Sequence, residues 1–171
     1  MLNLKITPQR PALLKGFDNE FYALLQVNAD DQASNNERSK SLNLAIIIDR
    51  SGSMSGQPLN EAKACAIMMV KRMHADDRIA VVTYDNDAKL VVPSTLCANK
   101  QEIISSIRMI SEGGMTALHA GWLMGAEEVA KNKAENSLNR VLLLSDGNAN
   151  RGLTDIDRIK SQCAQLADAG V

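Results

Sequence analysis

Leu42-Asn43-Leu44-Ala45-Ile46-Ile47-Ile48-Asp49-Arg50-Ser51-Gly52-Ser53 is the stretch that decides the fold. Its apolar run, Leu44 to Ile48, leaves no polar residue for a solvent face, so it reads as a strand buried on both sides. The run leads directly into a carboxylate and two hydroxyls spaced two apart: Asp49, Ser51 and Ser53. These are hard oxygen groups, which suit Mg²⁺ or Mn²⁺ and suit zinc or copper poorly. A second apolar run, Val141 to Leu144, ends in Ser145-Asp146-Gly147. Between the two lies Gly113-Gly114-Met115-Thr116, a hinge-like loop with one more hydroxyl. Three loops thus offer Asp49, Ser51, Ser53, Thr116 and Asp146 to a common point.

Outward from that stretch, strand and helix patterns alternate. Residues 58–73 place Leu59, Ala62, Ala66, Met69 and Met73 on one helical face, and Met68, Met69 and Met73 read as core packing. Residues 78–84 form a second strand. Residues 88–92 follow too closely for a crossover and read as its antiparallel neighbour, with Asp85 and Asp87 in the turn. A helix over 99–110 uses Ile103, Ile104, Ile107 and Ile110. Thr116 stands where a cap would precede a helix over 117–133, in which Gly121 and Gly125 permit close packing. Residues 140–145 are another buried strand. A helix over 155–167 uses Ile156, Ile159, Cys163 and Leu166. Asp76-Asp77 reads as a solvated turn, His74 and His119 as surface or packing residues, and Trp122 as a core or interface anchor.

The alternation implies an α/β fold with a mostly parallel sheet sandwiched by helices. Ligands of such sheets bind beyond the carboxyl ends of the strands, where strand order reverses. The strands ending at Asp49 and Asp146 are natural neighbours there, with Gly52 letting the backbone turn tightly between the serines. Before them, residues 2–6 and 20–27 read as two strands of a flanking β layer, joined to the rest by a polar linker over 29–40. The division expected is a β segment with linker, 1–41, and an α/β domain, 42–171. A further strand is expected after Ala169-Gly170-Val171, so the domain reads as C-terminally incomplete.

Composition narrows the function. A net charge of −1 without a basic stripe, and 3% aromatic residues, argue against nucleic acid. No apolar run reaches the roughly 20 residues that span a bilayer, and the N-terminus lacks a signal-peptide pattern. A cytoplasmic location is the simplest expectation. Cys65, Cys97 and Cys163 have no metal-type spacing and read as buried free thiols.

The motif set is more specific than its parts. Asp49-Arg50-Ser51-Gly52-Ser53 resembles the Asp-x-Ser-x-Ser motif of von Willebrand factor A domains. Thr116 after Gly113-Gly114 is similar to that family's second loop, and Asp146-Gly147 to its third. The resemblance covers about residues 42–171 and fills all five positions of a metal-ion-dependent adhesion site. It implies a Rossmann-like fold with Mg²⁺ (or Mn²⁺ or Ca²⁺) in the upper crevice. Ser51, Ser53 and Thr116 would be direct ligands, and Asp49 and Asp146 would act through water or by orienting hydroxyls. A protein partner would supply an Asp or Glu to complete the shell. The family's last strands and helix are absent from this sequence, and the N-terminal strands resemble those flanking the domain in bacterial multidomain members.

The function expected is therefore a metal-dependent protein-binding module without catalytic activity. One alternative is a subunit or scaffold beside an AAA+ ATPase, which would use the same crevice. Another is a Mg²⁺-dependent phosphotransfer enzyme with Asp49 as nucleophile. That chemistry wants a second Asp two residues on, where Ser51 stands, and no Gly-rich phosphate loop ending in Lys-Ser or Lys-Thr is present.

Overall fold

The structure is a computed structural model that describes residues 2–8, 23–29, 40–146 and 155–170. The expected linker apart from its two ends, and Gly147 of the third loop, lie outside the described residues. The chain divides into two compact units, Met1–Glu37 and Arg38–Val171. In the first, β1 (Leu2–Pro8) and β2 (Ala23–Ala29) pair antiparallel, with Leu4 opposite Val27.

The second unit is built on β3 (Ser41–Asp49). This strand is buried from Asn43 to Asp49, as the apolar run requires. Parallel neighbours flank it: β4 (Arg78–Tyr84) on one side and β6 (Ser137–Leu144) on the other. An antiparallel edge strand, β5 (Ala88–Leu96), completes the order β5-β4-β3-β6. The chain moves to one side of β3 for β4 and β5, then crosses to the other for β6. Strand order therefore reverses at β3.

Side-chain alternation sends the two faces of β3 to different helices. Leu44, Ile46 and Ile48 join Ile79 and Val81 in one core with α1 (Gln57–Arg72) and α2 (Lys100–Arg108). Ile47, Val82 and Tyr84 pack on the opposite face with Leu118 and Trp122 of α3 (Leu118–Lys131). Burying one such aliphatic side chain stabilises by about 1.5–3 kcal/mol, and Ile46, Ile47 and Ile48 are all fully buried. Helix α3 lies very close to the sheet: a Cβ on Gly121 would stand 2.5 Å from Tyr84 Cδ1, and one on Gly125 2.7 Å from Ile47 Cδ1. The last helix, α4 (Ile156–Asp168), is capped by Asp155, whose carboxylate accepts from Asp157 N and Arg158 N. No helix among the described residues is long and apolar enough to cross a membrane.

The edge strand carries an irregularity. Val81 pairs with Val92 and Ile79 with Thr95, so Pro93 and Ser94 together oppose Ala80. Pro93 has no N–H for the ladder. Ser94 N turns away from it and donates to Glu128 Oε2 of α3 at 2.8 Å. Glu128 is buried and also pairs with Lys131.

Several local expectations are corrected. Val70 is the fully buried continuation of the α1 face, Met69 is half-buried against the same core, and Met68 is half exposed. At about 100° per residue, Val70 lies about 20° from Leu59 around the axis and Met69 about 80° away. Of the cysteines only Cys97 is buried, with its Sγ 3.7 Å from Met73 Sδ. Cys65 is half-buried and Cys163 is exposed on α4, where Ile159 and Leu166 are half-buried. Helix α3 starts one residue later than expected. Ala117 is its cap residue and no side chain caps it, so Thr116 does not serve that role. Asp77 is not a solvated turn residue. It is 1% exposed, and its carboxylate accepts from Leu42 N and His74 N, both at 2.8 Å, tying the start of β3 to the loop before β4.

Candidate metal centre

Asp49 is the last residue of β3 and is 0% exposed. A carboxylate taken out of water needs donors around it, and this one has them. Oδ1 accepts from Ser51 N at 2.9 Å. Oδ2 accepts from Tyr84 Oη at 3.0 Å and from Ser145 Oγ at 2.8 Å. Three neighbouring strand ends thus converge on one side chain. The parallel register puts Tyr84 directly opposite Asp49, and Ser145 is the first residue past β6.

Burial pushes the Tyr84 phenol far above its usual range. A hydrogen bond with Ser145 pulls the other way, while the Asp49 and Asp146 carboxylates add to the rise. Tyr84 is therefore a neutral donor at any physiological pH, and Asp146 is near enough for its charge to be felt there.

Ser51 is buried and precedes a 3₁₀ turn over Gly52–Met54. Its Oγ stands 3.3 Å from Ser53 Oγ, and Ser53 is exposed. Adjacent oxygens of an octahedral shell with Mg²⁺-type bonds lie about 2.9 Å apart, so the hydroxyl pair has close to the needed span. Gly52 has no left-handed backbone conformation; the residue of this loop that does is Gly56, with φ 78°. What Gly52 supplies is a backbone bond, from its N to Gly114 O at 2.8 Å. Gly113 N returns one to Arg50 O at 2.7 Å. These two bonds stitch the Thr116 loop onto the serine loop. Thr116 itself is 2% exposed and Asp146 is exposed.

Asp49, Ser51, Ser53 and Ser145 thus form one hydrogen-bonded group, with Thr116 held beside it through its loop and Asp146 following Ser145. Tyr84 and the Arg50–Asp85 pair escape a reading of the motifs alone. Tyr84 was legible only through the register that aligns it with Asp49. Arg50 and Asp85 form an ion pair at 2.6 Å, and Arg50 Nη1 also donates to Ser111 O at 3.2 Å. Asp85 is therefore more than a turn residue. His119 is a packing residue, tilted against Trp122 and bonded to Gln162 Oε1.

Residues 43–171 match the model of the von Willebrand factor type A domain. The chain belongs to this family. Over 131 residues this von Willebrand factor A domain is 34% identical to the uncharacterized protein sll0103 of Synechocystis, covering 77% of this chain and 31% of that protein. Over 154 residues it is 32% identical to the uncharacterized protein YfbK of Escherichia coli, covering 90% of this chain and 27% of the other. The chain thus spans under a third of the length of these relatives. Among solved structures, BatB of Bacteroides thetaiotaomicron superposes with TM-score 0.62 at 19% identity, over 76% of this chain and 63% of BatB. Proximal thread matrix protein 1 of the mussel byssus, with its metal-ion-dependent adhesion motif occupied by zinc, superposes with TM-score 0.59 at 16% identity, over 78% and 37%. Both share the mostly parallel sheet flanked by helices.

Proposed function

We propose that this von Willebrand factor A domain is a divalent-metal-dependent protein-binding module. Ser51, Ser53 and Thr116 would hold Mg²⁺, or Mn²⁺ or Ca²⁺, with Asp49 and Asp146 acting through water or by orienting hydroxyls. The bound ion would supply an electrophilic position to which an Asp or Glu of a protein partner adds.

The observation that carries this reading is the state of Asp49. Its two oxygens are engaged by Ser51 N, Tyr84 Oη and Ser145 Oγ, and it has no exposed surface. Such a carboxylate supplies charge from behind while fixing where the hydroxyls stand. Ser51 and Ser53 Oγ stand 3.3 Å apart as a closely spaced neutral pair. A site built chiefly from hydroxyls leaves a divalent ion under-neutralised and receptive to another anionic oxygen. The same burial makes Asp49 a poor nucleophile, because an attacking oxygen needs an open line to substrate. This favours binding over phosphotransfer.

The test is calorimetric titration with Mg²⁺, Mn²⁺, Ca²⁺ and Zn²⁺, on the chain and on Ser51→Ala/Ser53→Ala. Zinc belongs in the series because it occupies the motif of the mussel protein. Saturable binding that the double variant loses supports the reading. A folded chain that binds none of these ions rules it out.

A further inference from the structure

The N–H groups of the residues on either side of Thr116, Met115 and Ala117, are held by a single turn. Met115 N donates to Asn86 Oδ1 at 3.1 Å, and Ala117 N donates to Asp85 O at 2.7 Å. Asp85 and Asn86 lie between β4 and β5, in a turn that contributes none of the five candidate metal-site residues. The fit is close. A Cβ on Gly113 would stand 2.2 Å from Asp85 Oδ2, and one on Gly114 2.8 Å from Asn86 Nδ2. The two glycines form a socket for the turn's side chains.

The turn is itself anchored. Asp85 N donates to Asp87 O at 3.2 Å, and Asp85 Oδ2 takes the Arg50 ion pair.

We propose that Asn86 is a positioning residue for Thr116 and thereby sets the divalent-metal affinity of the site. This rests on the metal-binding reading above. A neutral hydroxyl is a weak donor, so what it adds depends on arriving at the right place already fixed. Groups that orient metal ligands from outside typically cost 10–100-fold in affinity when lost. Asn86 is exposed, so truncating it removes the bond without opening the core.

The experiment is Mg²⁺ and Mn²⁺ calorimetry on the parent chain, Asn86→Ala, Thr116→Val, the double variant and Asn86→Asp, with thermal melts alongside. Asn86→Ala should bind about tenfold more weakly or worse while melting as a folded domain. Because Asn86 acts through Thr116, the double variant should bind no more weakly than Thr116→Val alone. Asn86→Asp keeps an acceptor oxygen in place and should bind at least as tightly as the parent. Multiplying losses in the double variant, unchanged affinity in Asn86→Ala, or an Asn86→Asp as weak as Asn86→Ala would each overturn the proposal. The two ways of failing are distinct. A folded parent that binds no metal overturns the metal reading and this inference with it. A parent whose binding responds to Thr116→Val but not to Asn86→Ala overturns this inference alone.

Discussion

Tyr84 Oη and Asp49 Oδ2 meet at 3.0 Å across adjacent parallel strands, at directly opposed register positions. This contact joins the core to the candidate site, because the ring packs with Ile47 and Val82 while the hydroxyl serves the carboxylate. Tyr84→Phe removes one donor from a buried anion. We expect a loss of about 1–3 kcal/mol in unfolding free energy, read by urea denaturation. An unchanged midpoint would mean that Ser51 N and Ser145 Oγ suffice.

The two close-packed glycines of α3 should respond differently to alanine. A Cβ at Gly121 would stand 2.5–2.9 Å from Cδ1, Cγ and Cβ of the rigid Tyr84 ring system, whereas one at Gly125 would stand 2.7 and 2.8 Å from Cδ1 and Cγ1 of the aliphatic Ile47. Alanine in a helix interior gains roughly 0.5–1 kcal/mol over glycine, while overpacking costs about 1–3 kcal/mol. Both alanine variants should be destabilised, Gly121→Ala the more strongly because an aromatic ring yields less than an aliphatic chain, as thermal melts would show. The reverse order would overturn this packing account.

Burial, aided by the Asp77 carboxylate and opposed by Lys100, pushes the Cys97 thiol up to about 11. In the unfolded chain the thiol ionises near 8.5–9. The folded state thus holds the proton longer, and its stabilising effect is complete below about pH 8.5 and lost as pH rises to about 11. Urea unfolding at pH 8 and pH 10.5 should show the parent losing more stability than Cys97→Ala, by about 1–3 kcal/mol. Equal losses would place the pH sensitivity elsewhere.

Glu128 titrates with the opposite sign. Burial alone would raise its carboxyl, but the Lys131 ammonium and Ser94 N–H outweigh that and hold it below the usual range. A depressed folded value contributes stability above the unfolded pKa, about 4.3, and loses it as pH falls through the folded one. Glu128→Gln should be less stable than the parent at pH 7, with the gap closing below about pH 4. A gap that persisted at pH 3 would show that charge is not the cause.

Much of the second unit was legible because its signals are one-dimensional. The Leu44–Ile48 run fixed a doubly buried strand, and its abrupt end in Asp49 located the carboxyl edge of the sheet. The short Asp85-Asn86-Asp87 connection fixed β5 as antiparallel. What escaped depends on three-dimensional register or on partners distant in sequence. Asp77 looks like any acidic turn residue until Leu42 N, 35 positions away, is placed over its carboxylate. Tyr84 is one more apolar strand residue until parallel pairing aligns it with Asp49. Thr116 carries a good capping side chain, but whether it caps is decided by which residue begins the helix, a one-residue difference that propensity does not resolve.

The bulge at Pro93 and Ser94 has a bearing on how this domain meets other chains. A strand approaching the outer side of β5 would meet a bulged segment in which Pro93 carries no N–H and the Ser94 N–H is engaged by Glu128. That margin is a poor template for adding a strand. Recognition by extending the sheet is thereby discouraged on this side, and an incoming protein is left to dock against side chains and loops instead.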